Sequence, residues 1–234
     1  MHRRSYLLLS AGALFGSAGC LGNSDGRNVD STLFAGTDQF ETDGDDERST
    51  HSFDGEGADD GDERTDTFEL TADGPTVVEY DHDGEESFTV WFVDENGERV
   101  APGYSAQGPF EGQTIHALEP DTYGLTVEAD GEWSLTVHDL PVYTSGRSLP
   151  IETDGMLTDV IGPIEFPDGE AVSFTVSAAN SPEHGGLLFD RHGELGPQVF
   201  GLEGDVEDET ISGAVSGIGY LFVESGGTWE ITIE

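Results

Sequence analysis

The sequence predicts an all-β protein whose folded part consists of two tandem antiparallel, jelly-roll-like β-sandwich domains. Three observations lead to this prediction. From Phe68 onward, short segments rich in β-branched and aromatic residues alternate with polar residues, as half-buried strands do. No stretch shows helical periodicity of useful length. The second half of the chain also repeats the first half at a fixed spacing.

Residues 1–19 have the composition of an export signal. Arg3 and Arg4 supply the positive start, and residues 6–15 form an apolar stretch too short and too rich in Gly and Ser to span a membrane. The run over residues 2–8 resembles a twin-arginine translocation motif, in which an aromatic and an aliphatic residue follow the paired arginines. This resemblance implies export, with Arg3 and Arg4 as the export motif.

Cys20 is the only cysteine and follows small residues. The sequence Ser17-Ala18-Gly19-Cys20 looks like a lipobox, which implies a lipid on Cys20 and a location at the extracellular face of the membrane. The alternative is an ordinary signal peptide that ends near Gly19 and leaves an incidental free thiol. With Cys20 used as the anchor, no disulfide and no cysteine-ligated metal is available.

Charge indicates the solvent in which the chain folds. The sequence has 49 Asp and Glu residues against eight Arg and no Lys, a formal net charge of −41. Loss of Arg3 and Arg4 with the signal changes this to −41 − 2 = −43. The composition resembles that of salt-adapted haloarchaeal proteins, because concentrated salt screens such repulsion and hydrated cations can cover the carboxylates. Nucleic-acid binding is excluded, since no basic patch exists. The alternative is a partly disordered acidic protein.

Residues 20–65 are predicted to form a disordered acidic linker. They are rich in Gly, Ser, Thr, Asp and Glu, and such a segment buries too little apolar surface to offset its ordering entropy. Its few apolar residues, residues 33–35 and Phe40, could dock on the folded part.

An internal repeat sets the two domains at residues 66–146 and 151–234. Residues 92–98 match residues 188–194, and residues 127–137 match residues 223–233; both matches have an offset of 96, since 190 − 94 and 229 − 133 are both 96.

Two other matches have a smaller offset. Gly74-Pro75 matches Gly162-Pro163 at an offset of 88. Ser87-Phe88-Thr89-Val90 matches Ser173-Phe174-Thr175-Val176 at an offset of 86, which predicts an insertion at residues 178–186 of the second copy.

The order of turns and apolar segments in each copy resembles a known family. Phe92 to Glu98 carries an apolar pair followed by Asp and Gly-Glu, and each copy ends on an aromatic-x-aliphatic-Thr-aliphatic strand. Residues 68–137 and 156–233 are in this respect similar to the bacterial and archaeal pre-peptidase C-terminal domain. The resemblance implies a β-sandwich that is appended to secreted proteins and has no catalytic residues of its own.

Few residues point to chemistry. Asp81, Asp83 and Glu85 place hard oxygen ligands around a glycine and are candidate calcium ligands, although the full twelve-residue EF-hand pattern is missing. The alternative is a solvated turn between strands. The histidines are scattered without metal-ligand spacing, and only a dispersed Ser-His-Asp triad stays open.

Aromatic residues offer one further candidate site. Trp91, Tyr104 and Phe110 could form a sugar-stacking platform, but strand periodicity favours core packing. Trp133 and Trp229 occupy matching strand positions and are expected in the two cores.

We therefore expect a lipid-anchored surface protein with a non-catalytic binding or structural role and no cofactor. The expected partners are membrane lipid through Cys20, hydrated cations and a surface glycan or protein. The alternatives are a glycan- or calcium-binding lipoprotein and, third, an extracellular hydrolase.

Overall fold

The computed structural model describes residues 40–43, 47–57 and 63–234. The predicted export signal, Cys20 and most of the predicted linker lie outside these residues. The described residues form eighteen strands and no helix, which confirms the all-β prediction. Consequently, this part of the chain contains no helix with the length and apolar character needed to cross a membrane.

The first sandwich contains nine strands that form two antiparallel sheets. They are β1 (Ser49–Glu56), β2 (Glu63–Arg64), β3 (Phe68–Glu69), β4 (Thr76–His82), β5 (Ser87–Val93), β6 (Arg99–Gln107), β7 (Phe110–His116), β8 (Thr122–Glu128) and β9 (Glu132–Asp139). One sheet has the order β1-β9-β4-β7 and the other β2-β8-β5-β6, with β3 also paired to β8. Alternate residues of these strands, among them Phe88, Phe92, Leu125 and Leu135, fill the core between the sheets.

The second sandwich contains the other nine strands. They are β10 (Arg147–Ser148), β11 (Ile151–Met156), β12 (Asp159–Phe166), β13 (Ala171–Ala179), β14 (Glu183–Asp190), β15 (Leu195–Glu203), β16 (Val206–Ala214), β17 (Gly217–Ser225) and β18 (Thr228–Ile233). Its sheets have the orders β11-β18-β13-β16 and β10-β12-β17-β14-β15, and only the short β10–β12 pair is parallel among the described pairings. Its separate core includes Phe174, Leu221 and Ile231.

The repeat extends through both sandwiches. In each, an edge strand places a glycine opposite the core tryptophan: Gly55 faces Trp133, and Gly155 faces Trp229. A side chain at either glycine would collide with the indole ring. The duplication is therefore visible in packing as well as in the order of the strands.

The predicted insertion in the second copy is wrong. Ser87 to Val90 lies in β5, whereas Ser173 to Val176 lies in β13, which occupies the position of β4 because both pair with the tryptophan strand of their own sandwich. The offset of 96 therefore also relates β4 to β13 and β5 to β14. Similar residue patterns on neighbouring strands produced the false match.

The predicted linker is also too long. Ser49 to Glu56, inside the segment assigned to residues 20–65, forms strand β1 and pairs with β9 along eight residues. Glu63 and Arg64 pair with β8. The folded part therefore begins well before residue 66, because β1 satisfies the edge of β9 and places Phe53 against the core.

Residues 40–43 pair with the connection between the sandwiches. Thr42 forms a bridge with Tyr143, the Asp43 N–H donates to the Val142 carbonyl at 2.7 Å, and the Thr144 N–H donates to the Glu41 carbonyl at 2.8 Å. The Phe40 ring meets the Tyr143 ring edge-on with centroids 6.4 Å apart. The docking expected for Phe40 is thus present, at the junction of the two sandwiches.

Candidate functional site

The two sandwiches are joined through an apolar junction cluster. Its buried members come from β4, β7, the connection, β12 and β17: Val77, Ile115, Leu140, Tyr143, Val160, Tyr220 and Phe222. The outer face of sheet β1-β9-β4-β7 therefore packs against the outer face of the β12-β17-β14 region. Burial of this much apolar surface holds the four sheets in one stack.

Polar side chains form a network beside this cluster, and we treat it as the candidate functional site. Glu79 accepts a hydrogen bond from the Gln113 amide at 3.0 Å and lies 3.4 Å from Nε2 of His138. The Gln113 side-chain oxygen accepts the Val160 N–H at 3.3 Å, and the Gln113 N–H donates to the Thr158 carbonyl at 3.1 Å. Gln113 is buried and connects the two sandwiches directly.

The hydrogen bond between Gln113 and Thr158 requires the two backbones to approach closely. Thr158 lies against Gly112, where a side chain would collide with it. Gly112 is therefore required for β12 to come within hydrogen-bonding distance of β7.

Asp159 adds a second carboxyl to the network from the other sandwich. Burial, with a smaller contribution from the nearby Glu79 carboxylate, raises the pKa of Asp159 to about 6, although the hydrogen bond from the Val160 N–H at 2.8 Å opposes the shift. A carboxyl group that titrates near neutral pH can exchange protons, which is a property of binding and catalytic sites and also of strained structural pairs.

One line of groups in this site resembles a catalytic triad in its order. The Thr50 hydroxyl lies 3.3 Å from Nδ1 of His138, whose other ring nitrogen faces Glu79. Thr50 is exposed on edge strand β1, whereas His138 is buried. The sequence alone did not reveal this arrangement, although a dispersed triad stayed open as a prediction.

A second hydroxyl and imidazole pair lies in the other sandwich. The Ser225 hydroxyl lies 2.8 Å from Nδ1 of His184, and both residues are buried. The Ser225 oxygen also accepts the Gly227 N–H at 3.0 Å and lies 3.2 Å from the Gly227 carbonyl. These bonds fix the β17–β18 turn. Burial lowers the pKa of His184, although Asp205 and the Gly204 backbone oppose this shift.

The three calcium candidates lie at or just after the end of β4, and each has different contacts. Asp81 is exposed on β4, while Asp83 accepts the Glu132 N–H at 2.8 Å. The Glu85 N–H donates to Asp130 at 3.0 Å, so two carboxylates tie the neighbouring turns together. In the described ranges, no group of three or more His, Cys, Asp or Glu side chains is placed to hold a metal ion.

Aromatic placement differs from the prediction at one residue. Trp133 and Trp229 are buried in the two cores as expected. Tyr104 and Phe110 stack on one another with centroids 4.5 Å apart and belong to the first core. Trp91, in contrast, lies on the outer face of β5, because Phe88, Val90 and Phe92 are its inward residues. The preference for core packing of Trp91 is therefore wrong.

Sequence reasoning missed Thr50, Gln113 and Asp159 because they are far apart in the chain and have no motif. A signal was nevertheless available in the repeat. Val77 is apolar where its counterpart 96 residues later is Ser173, and this difference marks a face that is covered in one copy only. Arg3, Arg4 and Cys20 lie outside the described residues.

Comparisons with known proteins add little. No protein-family model and no curated protein matches the chain, so the resemblance to the pre-peptidase C-terminal domain stays a prediction. Among solved structures, the PBSX exported protein XepA is similar at 10% identity and a TM-score of 0.31, over 80% of this chain and 86% of that chain. The stem and receptor-binding domain of the spike protein P1 from bacteriophage PM2 is similar at 12% identity and a TM-score of 0.20, over 83% and 99%. TM-scores this low carry no argument about this chain.

Proposed function

We propose that the protein is exported and held by a lipid on Cys20 at the outer face of the cell membrane, in a salt-rich environment. There, the paired sandwiches have a non-catalytic binding or structural role. The observation that supports this role is the apolar junction cluster, which includes Tyr220 at 0% exposure. Two domains packed through such a contact keep a fixed relative orientation, so that their outer faces can bind a partner as one surface. Residues 40–43 connect the chain to that same junction.

Cell fractionation tests the location. In a halophilic archaeal host, the wild-type chain is expected in the membrane fraction and accessible to protease added outside the cells. Cys20→Ser is expected in the medium, because it lacks the lipid-bearing thiol, and the double change Arg3→Lys and Arg4→Lys should retain the uncut chain in the cytosol. Ser24→Ala is the matched control and should behave as wild type. A Cys20→Ser chain that stays in the membrane fraction would contradict the lipid anchor.

A hydrolase is the alternative, and the line Thr50, His138 and Glu79 is the observation that favours it. Small ester and peptide substrates should show no turnover if the non-catalytic role is correct. If turnover is found, Thr50→Ala should abolish it while Ser52→Ala, two residues along the same strand, should not. That pattern would replace the binding role by a hydrolytic one.

A further inference from the structure

The two sandwiches differ at one core position that the repeat makes equivalent. In the first sandwich, Tyr123 on β8 lies opposite Phe68 and belongs to the core. The residues 96 positions later are Gly219 on β17 and Ile164, which lie opposite one another in the same way. Both members of the pair are therefore smaller in the second sandwich, and one of them has no side chain.

The first sandwich shows what occupies this end of the core. The centroid of the Tyr123 ring lies 6.4 Å from that of Phe68 and 6.3 Å from that of Phe92, and the Tyr123 hydroxyl donates to the Glu119 carbonyl at 2.9 Å. Phe92 is also replaced by a smaller residue in the second copy, because Leu188 follows it by 96 positions. Aromatic rings thus fill in the first sandwich what smaller residues border in the second.

The second sandwich has a cavity of about 230 Å³ beside Gly219. Phe166 replaces the smaller Leu70 of the first copy and forms part of the wall. The other apolar side chains of the wall include those of Leu188, Pro197, Val215 and Ile218. A cavity of roughly 150 Å³ lined by such residues is large enough to bind benzene. The cavity beside Gly219 therefore has room for one substituted ring.

The cavity opens to the surface beside a short loop. In the first sandwich, residues 117–121 connect β7 with β8, and Leu118 from this loop packs against the core. The equivalent connection between β16 and β17 consists only of Val215 and Ser216. Val215 is half-buried and Ser216 is exposed, and both line the cavity. A ligand can therefore enter without rearrangement of the sheets.

We propose that this cavity binds a single neutral aromatic ring of the size of a tyrosine side chain. The first copy places such a ring at the equivalent position, and Phe166 offers an aromatic contact that an aliphatic ligand cannot match. Charge favours a neutral ring, because the Asp190 carboxylate also lines the cavity and would repel an anion. Oδ1 of Asp190 accepts the His192 and Glu194 N–H groups, which fixes this carboxylate in the wall.

This proposal deepens the binding role proposed above and rests on it. Methyl NMR spectroscopy tests it with the full chain, purified from a halophilic host and kept in molar salt. The probes are p-cresol, which is the tyrosine side chain as a free molecule, and 4-methylcyclohexanol, which carries the same substituents on an aliphatic ring.

In the wild type, p-cresol is expected to shift the methyl signals of Leu188 and Val215 saturably and to leave those of Leu125, in the first core, unchanged. Burial of roughly 150 Å² of ring surface corresponds to a Kd of about 1 mM. 4-Methylcyclohexanol should bind about threefold more weakly or worse, because it lacks the aromatic contact with Phe166.

Two variants fill the cavity. Leu188→Phe copies Phe92 of the first sandwich, and Val215→Phe adds a ring at the opening. Each should weaken p-cresol binding about tenfold or more and retain the wild-type circular dichroism spectrum. Val100→Phe, at a residue 44% exposed in the first sandwich, is the matched control and should bind as wild type. Gly219 is left unchanged, because a side chain there would collide with the Phe189 carbonyl oxygen.

N-acetyltyrosine methylamide distinguishes the two sources of such a ring. Binding comparable to that of p-cresol would assign the ring to a tyrosine of a partner protein, whereas binding of p-cresol alone would assign it to a small aromatic molecule. No saturable shift in the wild type, equal binding of 4-methylcyclohexanol, or unchanged binding by both filled variants would overturn the proposal. The wild-type shifts decide the question even where a variant does not fold. The fractionation experiment has a separate readout, so a correct location without ring binding would reject this site alone.

Discussion

Asp159 is a carboxyl group at the contact between the sandwiches whose ionised form is disfavoured by burial. Burial raises its pKa from 3.8 to about 6, so the folded state takes up a proton more readily than the unfolded chain. Above about pH 6 the ionised group therefore costs stability, up to about 3 kcal/mol for a shift of this size. That cost decreases as the pH falls from about 6 towards 3.8 and is absent below it.

Asp159→Asn is therefore expected to stabilise the protein by about 1 to 3 kcal/mol at about pH 8 and to have little effect near pH 4. Denaturant unfolding in molar salt at the two pH values measures this difference. Asp154→Asn, at an exposed carboxylate on β11, is the control and should change neither value. Equal effects of Asp159→Asn at both pH values would show that its charge is not strained.

His116 acts in the opposite direction over part of the same range. Burial lowers the pKa of His116 from 6.5 to about 4, and its Nε2 lies 2.7 Å from the Thr114 hydroxyl. As the pH falls through 6.5 towards 4, the unfolded chain takes up this proton first, and stability is lost. Asp159 and His116 therefore offset one another between about pH 6 and 4, so only the single variant isolates either contribution.

None of these residue-level features could be predicted from the sequence. Glu79, Gln113 and His138 meet through the register of three neighbouring strands, and Asp159 joins them only because the second sandwich docks on that sheet. In a chain with 49 acidic residues, no composition signal distinguishes Glu79 or Asp159 from surface carboxylates. The positions of Trp133 and Trp229 in the two cores could be predicted from the sequence, because both residues follow the period of two of a half-buried strand.

At the scale of elements, strand β1 shows where pattern reading fails. Its sequence, Ser49 to Glu56, has only one large apolar residue, Phe53, and resembles the acidic segment before it. The strand is specified by its partner: β9 offers a paired edge, and the Phe53 and His51 rings lie 5.5 and 5.2 Å from Phe68. Tertiary context thus outweighs local composition here.

Removal of β1 is consequently expected to unfold or strongly destabilise the first sandwich. A chain beginning at Gly57 loses the eight-residue ladder with β9 and the partial burial of Phe53, which contributes less than the about 1.5 to 3 kcal/mol of a fully buried side chain. A chain beginning at Glu47 keeps both and is the control. Near-UV circular dichroism and the denaturant midpoint in molar salt compare the two. Equal midpoints would mean that β1 contributes nothing to the fold.

In the whole molecule, the two copies of the repeat form a stack of two sandwiches, and the residues on its end faces do not favour a third. The faces that meet at the junction carry Val77 and Ile115 on one side and Tyr220 and Phe222 on the other. The outer face of β13 and β16 forms one end of the stack, and the outer face of β8 and β5 forms the other. On these faces hydroxyl residues, glycine and a tryptophan beside arginine take the place of the apolar residues. Repeat arrays need polar outer faces of this kind to stay soluble, and concentrated salt strengthens that need by favouring apolar association.

The exchange of residues between the two faces can be tested by transplanting it. Val77 lies opposite Ile115 on β4 and β7, as Ser173 lies opposite Ser212 on the outer face of β13 and β16. The double change Val77→Ser with Ile115→Ser therefore gives the junction the residues of that outer face and removes two buried side chains from the apolar cluster. We expect a loss of about 2 to 5 kcal/mol and a separation of one cooperative unfolding transition into two, because each sandwich keeps its own core. Scanning calorimetry in molar salt measures both effects. The reverse double change, Ser173→Val with Ser212→Ile, should leave unfolding unchanged and promote self-association, which sedimentation detects; a single unaltered transition in the first variant would show that the cluster does not couple the sandwiches.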